Sequence, residues 1–448
     1  MNALLTDLYQ LTMAAGYYEA GKTKERATFE LFVRRLPYNR NYYLACGIEQ
    51  AVDYLLNLRF TSEEVDWLRK QPQFTRVSPG FFDSLLDFRF TGDVFAVREG
   101  TPVFAGEPIL TIRAPIIEAQ IPETYLLATI GFQSSIATKA SRIAETAAGR
   151  SVVEFGTRRA HSPHAGLLAG RAAYIGGCTG TSNVECSHRF GIPMFGTSAH
   201  SWVMSFSSER VAFEQLQALL GDATVYLIDS YDTLQGARTA AEIGKPMWGV
   251  RLDSGDLIEL SRKVRQILDD AGYRDAKIMA TGDLNEYRIL ELSAASAPID
   301  VYGVGTDLAT SADAPSMGAV YKMVELEVEG IKRYTAKYSD KKATRPGSKQ
   351  VFRYSDHDMI GCSWECPSCP EGSRPCEALL RPTIIGGQLV EPLPDIHAAR
   401  THASASLARL PKAIKSLYAP EDAPWQVVYS EEMKKLEERV KRNYGAGR

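Results

Sequence analysis

Apolar runs in the middle third of the chain stop, one after another, at polar clusters. They read SVVEFGTRRAH (151–161), PMFGTSAHSW (193–202), TVYLIDSYD (224–232), PMWGVRLDSGD (246–256), KIMATGDLN (277–285) and IDVYGVGTD (299–307). A strand buried on both faces is apolar without alternation, as these runs are. The cluster centres Gly156, Thr197, Asp229, Leu252, Gly282 and Gly303 lie 41, 32, 23, 30 and 21 residues apart. Each interval accommodates a strand, a loop, a helix and a second loop. The pattern predicts six parallel strands with reactive side chains just past their C-terminal ends, where an α/β barrel builds its active site. It implies an enzyme.

The flanks read differently. Residues 1–115 predict an α+β unit. LTDLYQLTMAAGYYEAG is a helix capped by Thr6 or Asp7 and stopped by Gly21, and ATFELFVRRLP alternates as a strand. VFAVREGTPVFAGEPILTIRAP holds three short strands parted by Gly100 and Gly106. Residues 116–315 form the barrel, introduced by a helical period over 117–149. Residues 316–448 return to the first unit through the antiparallel pattern GAVYKMVELEVEGIKRYTAKYS, with helices at 395–417 and in SEEMKKLEERVKRNYG. The charge run of that last helix is a solvated face. A Cys/Pro/Gly-rich insert occupies 355–376.

At 448 residues the chain exceeds one ordinary core, and two or three structural units follow. A net charge of −3 without a long basic run argues against a nucleic-acid or anionic-membrane partner. No stretch approaches the ~20 apolar residues of a membrane helix. The N-terminus has no basic leader and places Asp7 early, unlike a secretory signal. Seven cysteines are an odd number, and Cys46, Cys178 and Cys186 fall in enzyme segments, which suits a reducing cytoplasm.

Three clusters carry chemistry. Thr197-Ser198-Ala199-His200 sets an imidazole among small residues that leave room for a ligand, and histidine serves as acid, base or nucleophile near neutral pH. The plainer alternative is a histidine packed beneath a loop. Arg251, Asp253 and Asp256 share one strand end. Arg251 suits a carboxylate or phosphate, Asp253 a metal or sugar hydroxyls, and Asp256 stands where a helix N-cap belongs. Gly303-Val304-Gly305-Thr306 forms a backbone nest for phosphate, and Thr281-Gly282-Asp283 a second small turn ending in an acid. The acids of TVYLIDSYDT, Asp229 and Asp232, are three apart, which excludes the ribose loop of the non-barrel phosphoribosyltransferases.

Cys362, Cys366, Cys369 and Cys376 are spaced C-x3-C-x2-C-x6-C, with Pro367, Pro370, Gly372 and Pro375 bending the chain between them. Four thiolates on a short polar loop suit a structural zinc (Zn2+), with His357 as a possible substitute ligand. The alternative is four free thiols.

Together, LLTDLYQLTM, FGTRRAHSPHAGLLAGRAAYIGGCTGTSNVE, FGTSAHSW, LIDSYDT, GVRLDSGDL and GVGTDLATSADAPSMGAVYK resemble the nicotinate phosphoribosyltransferase family over about residues 3–325. The resemblance implies an irregular α/β barrel joined to an α/β sandwich made from the N- and C-terminal segments, and a head-to-tail homodimer with shared active sites. It implies condensation of nicotinate with 5-phosphoribosyl 1-pyrophosphate (PRPP) to nicotinate mononucleotide and pyrophosphate, in NAD biosynthesis. ATP hydrolysis through a phosphohistidine drives that reaction, with magnesium (Mg2+). By the same resemblance His200 is the phosphorylated residue, and Tyr9, Thr197 and Arg251 contact nicotinate, Tyr9 coming from the neighbouring subunit. Thr306, with Gly303 and Gly305, contacts the 5-phosphate. Asp253, Asp283 and Arg158 hold ribose, magnesium or pyrophosphate.

The nearest rival is a nicotinamide phosphoribosyltransferase, which shares the histidine motif; TDLYQ with GVRLDSGDL favours the acid. A quinolinate-specific enzyme would want a denser basic pocket and no ATP-dependent histidine. From another class, the chain could be a catalytically silent zinc-binding barrel.

Overall fold

The structure, a computed structural model, describes residues 3–338, 343–366, 376–418 and 425–445. The chain divides into two compact units. One comprises Met1–Ser134, Ser316–Ile414 and Ala419–Arg448; the other comprises Ser135–Pro315 and Lys415–Tyr418.

The first unit is built on a seven-stranded antiparallel sheet. Its order is Ile331–Tyr334, Ala319–Val328, Arg26–Val33, Pro108–Pro115, Asp93–Ala96, Arg381–Ile385 and Gln388–Leu389. Arg26–Val33 lies inside the sheet, ladder-bonded on both edges from Arg26↔Glu327 to Val33↔Ala319 and from Arg26↔Pro115. Being buried on both faces, it is richer in apolar residues than its alternation suggested, and Leu31, Val33, Leu110, Ile112 and Tyr321 share its core. The expected first helix spans Leu8–Glu19 with Asp7 at its N-cap. The Asp7 carboxylate does not cap it, accepting instead from the Thr124 hydroxyl at 2.7 Å. A four-stranded sheet takes in the start of the expected cysteine insert: His357–Cys362 is a strand flanked by Lys349–Arg353 and Gln426–Tyr429.

The second unit carries six parallel strands, β1 Ser151–Glu154, β2 Gly180–Thr181, β3 Val225–Leu227, β4 Gly249–Leu252, β5 Lys277–Ala280 and β6 Val301–Val304. Hydrogen bonding orders them β2-β1-β6-β5-β4-β3, with Val153↔Gly303, Met279↔Val301, Met279↔Arg251 and Leu227↔Arg251 as registers. The end strands β2 and β3 share no ladder among the described residues. Five of the six expected runs are strands. The run at 193–202 is not: it makes one bridge, Thr181↔Met194, and then leaves the sheet. Pro193 has no N–H to give a ladder, and the apolar stretch ends at Gly196. The sixth strand is Gly180–Thr181, too short and polar to read from pattern. Gly180 is required there, because a Cβ would lie 2.3 Å from the Pro193 carbonyl oxygen.

Candidate active site

Arg251 is the centre of the C-terminal edge of this sheet. Its Nε donates to Thr281 Oγ1 at 2.8 Å, Nη1 to Thr197 Oγ1 at 2.7 Å and to the Ser198 carbonyl at 3.3 Å, and Nη2 to Asp253 Oδ1 at 2.5 Å. One guanidinium fork thus ties together β4, the loop after β5 and the segment that carries His200. Its side chain is 11% exposed. Burial works against charge on Asp253, yet the Thr281 hydroxyl, Arg251 and His200 together hold its carboxyl below its ordinary pKa. Asp253 is therefore an ionised acceptor at neutral pH.

His200 opens a five-residue helix, His200–Met204. The ring is 41% exposed. Nδ1 lies 3.1 Å from Ser230 Oγ, and Nε2 lies 3.7 Å from Asp253 Oδ2, beyond hydrogen-bonding distance. With Nδ1 engaged by the hydroxyl, Nε2 is the nitrogen left open to a reactant. Asp229, just past β3, orders the neighbouring turn: its Oδ2 accepts from the Asp253 N–H at 3.0 Å and from Ser254 Oγ at 2.6 Å. Its Oδ1 is buried with no hydrogen-bond partner.

These groups face a cleft of about 610 Å³ that Arg158, Thr197, His200, Arg251 and Asp253 line together with the rings of Phe155 and Phe195. Arg158 is exposed on a short 3-10 turn, Thr157–Arg159. Gly303, Gly305, Thr306 and Asp283 sit on the adjoining strand ends and do not line it. Thr306 opens the helix Thr306–Ala309, and a Cβ on Gly303 would meet Thr281 Cγ2 at 2.6 Å. Gly282 has φ +87° and Asp283 φ +45°, so the turn after β5 is left-handed at two successive positions. Tyr9 belongs to the other unit and is 46% exposed. Burial first, then Glu123 and Asp7, push its phenol up to about 12.

Asp256 is the helix N-cap that its position suggested: its Oδ1 accepts from Ile258 N and Glu259 N at the start of Leu257–Asp270. Asp232 likewise caps Thr233–Ile243. Sequence reasoning did not find Ser230, the hydrogen-bonding role of the Thr281 hydroxyl or the ordering role of Asp229. It also missed Glu154, a fully buried carboxylate that accepts from Thr181 Oγ1 at 2.6 Å and from Gly156 N. Of the four cysteines in the proposed zinc site, Cys369 lies outside the described residues. Cys362 is buried among Met433, Leu436 and Val440, and burial, with Glu365 beside it, pushes its thiol up to about 12. That environment favours a protonated thiol over a zinc-bound thiolate. Among the described residues no group of three or more His, Cys, Asp or Glu side chains is placed to hold a metal ion.

Residues 4–131 match the nicotinate phosphoribosyltransferase (NAPRTase) N-terminal domain, and residues 150–351 match the nicotinate phosphoribosyltransferase (NAPRTase) family. The chain belongs to the nicotinate phosphoribosyltransferase family. It is 42% identical over 424 residues to a nicotinate phosphoribosyltransferase of Mycobacterium tuberculosis, covering 93% of this chain and 89% of the relative. It is 44% identical over 371 residues to that of Bacillus subtilis, covering 80% and 75%. The crystal structure of human nicotinic acid phosphoribosyltransferase superposes with a TM-score of 0.85 at 30% identity, covering 98% of this chain and all of that one. No helix among the described residues is long and apolar enough to cross a membrane.

Proposed function

We propose that the chain condenses nicotinate with PRPP to nicotinate mononucleotide and pyrophosphate, with ATP consumed through phosphorylation of His200. The observation that carries this reading is the Arg251 fork beside an open His200 Nε2 in one cleft of a chain from this family. Nicotinate brings a planar carboxylate to a cationic, half-desolvated site walled by Phe155 and Phe195. In the ATP step the Nε2 lone pair attacks the γ-phosphorus, an N–P bond forms, the bond to the bridging oxygen breaks, and ADP leaves. Water later takes the phosphoryl group and returns the imidazole.

In the transfer step the nicotinate ring nitrogen forms its bond to the anomeric carbon as the bond to pyrophosphate breaks. The nitrogen attacks with a free lone pair, so no general base is needed. The protein positions the reactants and excludes water. The buried, unpartnered Asp229 Oδ1 and the ionised Asp253 fit a magnesium ion shared with substrate phosphates, the usual way this ion is held. Bound there, magnesium would neutralise the leaving pyrophosphate. Arg158, exposed at the cleft edge, would add a second positive charge. Thr306 with Gly303 and Gly305 would take the 5-phosphate on backbone amides at a helix start, and Asp283 the ribose.

A homodimer that lends Tyr9 to its partner's cleft completes the reading. Leu8, Tyr9 and Met13 are 51%, 46% and 38% exposed on one helix, an apolar strip that a second copy would cover. Turnover with PRPP, ATP and each pyridine in turn tests the assignment. Nicotinate is expected to be consumed at a kcat/KM at least about tenfold above nicotinamide, since a neutral amide forgoes the charge-assisted bond that a carboxylate gains from the cationic cleft. The reverse order would establish the nicotinamide enzyme, and no turnover of either would favour the silent barrel.

For the cysteine segment, the burial of Cys362 predicts much less than one zinc per chain in protein purified without chelator. Native-state alkylation should label exposed Cys366 and spare Cys362 until the protein unfolds. One zinc per chain with Cys366 protected would restore the metal site.

A further inference from the structure

Behind the turns that follow β5 and β6 lies a buried ammonium that the mechanism above does not use. Lys139, on the helix Glu123–Thr146, is 1% exposed. Its Nζ lies 2.7 Å from Glu286 Oε2, 2.7 Å from Asp307 Oδ1 and 2.9 Å from Asp313 Oδ1. Glu286 is fully buried and is braced a second time by Arg142 Nε at 3.1 Å. Glu286 is the first residue of the helix that starts where the turn Thr281–Asn285 ends. Asn285 caps that helix, and its Nδ2 lies 3.4 Å from Asp307 Oδ2. Asp307 is the residue after Thr306, and Asp313 closes the segment that follows. A single cation therefore ties the turn bearing Asp283 to the turn bearing Gly303, Gly305 and Thr306, and holds the chain on both sides of the second.

Burial by itself would lower the pKa of this ammonium; Glu286, Asp307 and Asp313 reverse that and raise it. The lysine is thus charged throughout the working pH range, and its charge offsets carboxylates placed directly behind a nest that is to receive a phosphate. Without it, two half-exposed carboxylates and one buried carboxylate would stand behind the anion site with Arg142 as the remaining cation of the cluster.

We propose that Lys139 is a positioning residue for the ribosyl donor: it locks the two strand-end turns in the register that presents the Gly303–Thr306 amides to the 5-phosphate and cancels the negative charge behind them. It touches no reacting atom. The proposal rests on reading Gly303–Thr306 as the phosphate nest, so that reading needs its own arm in the experiment.

The test is steady-state kinetics of the full chain with nicotinate and PRPP varied separately. It uses Lys139→Met, the polar variant Lys139→Gln in case the first does not fold, and hydrogen exchange of the parent with and without PRPP as the arm that tests the nest itself. Outer residues that orient a site's direct ligands change affinity by about 10–100-fold when replaced. The expected result is a KM for PRPP raised by that factor in the lysine variants, with the KM for nicotinate within about twofold of the parent. Hydrogen exchange should show that PRPP no longer protects residues 303–313 in the lysine variants. If a folded lysine variant keeps the parent KM for PRPP, or raises both KM values alike, the positioning role is overturned. If PRPP gives the amides of residues 303–306 no protection from exchange in the parent protein, the phosphate-nest reading fails instead, and the lysine proposal falls with it for a reason visible in the data.

Discussion

His200→Ala is expected to abolish ATP stimulation and leave a slow, ATP-independent transfer. The cleft proposed to position nicotinate against PRPP keeps Arg251, Thr197 and Asp253, so the two substrates should still meet. The nitrogen proposed to accept the phosphoryl group is gone. With ATP present, the rate should fall by about 10²–10⁴, the range of a lost catalytic proton-transfer or nucleophilic group. Without ATP the variant and the parent should run at similar rates. Incubation with γ-labelled ATP reads the same point chemically. The parent should take up a label that is acid-labile and base-stable, and the variant none. A label of that kind surviving in the variant would remove His200 from the role and direct attention to another nucleophile of the cleft.

Arg251→Ala should be the next most damaging change, and its signature is selective. The KM for nicotinate should rise far more than the KM for PRPP. Losing a charge-assisted pair whose partner charge stays desolvated costs about 2–5 kcal/mol, roughly 30-fold or more in affinity. The structure adds a second expectation. Arg251 also fixes Thr197, Thr281 and Asp253, so its removal leaves Asp253 without the guanidinium that helps keep it ionised. Asp253 is stabilised in its charged form, so its contribution is present above its unfolded-state pKa and is lost as pH falls through its depressed folded-state value. In Arg251→Ala the acid limb of the rate profile should move to higher pH. Equal rises in the two KM values would make Arg251 a phosphate ligand and displace the nicotinate pocket.

Five strands of the second unit were legible because both faces of a parallel sheet are covered, so burial leaves a continuous apolar run. What escaped was local. Gly180–Thr181 is a two-residue strand chosen by the close approach of the Pro193 carbonyl, and 193–202 is an apolar stretch that tertiary geometry keeps out of the sheet. The candidate site divides in the same way. Arg158, Thr197, His200, Arg251 and Asp253 were marked by charge or by crowding of small residues, and they do gather around one cleft. Ser230 and Thr281 carry ordinary hydroxyls whose importance is created by residues about thirty positions away that point at them. The cysteine segment shows the converse. Spacing suggested four equivalent ligands, but strand pairing turns Cys362 into an apolar cluster.

Because the segment that follows Met194 leaves the sheet after one bridge, the catalytic edge has an uneven local stability. Arg251 is anchored in a strand with ladders on both sides, whereas Thr197 and His200 ride on chain fastened to β2 only through the Thr181 N–H to Pro193 and the Phe195 N–H to Thr181. Regions with few such bonds open at a free energy well below that of global unfolding. With so few backbone bonds, the histidine half of the site depends for its place on side-chain bonds, chiefly those of Arg251 to Thr197 and to the Ser198 carbonyl. In the reading proposed above, the residue that would exchange a phosphoryl group with ATP therefore sits on the part of the edge least bound by backbone, next to the arginine that holds it in place.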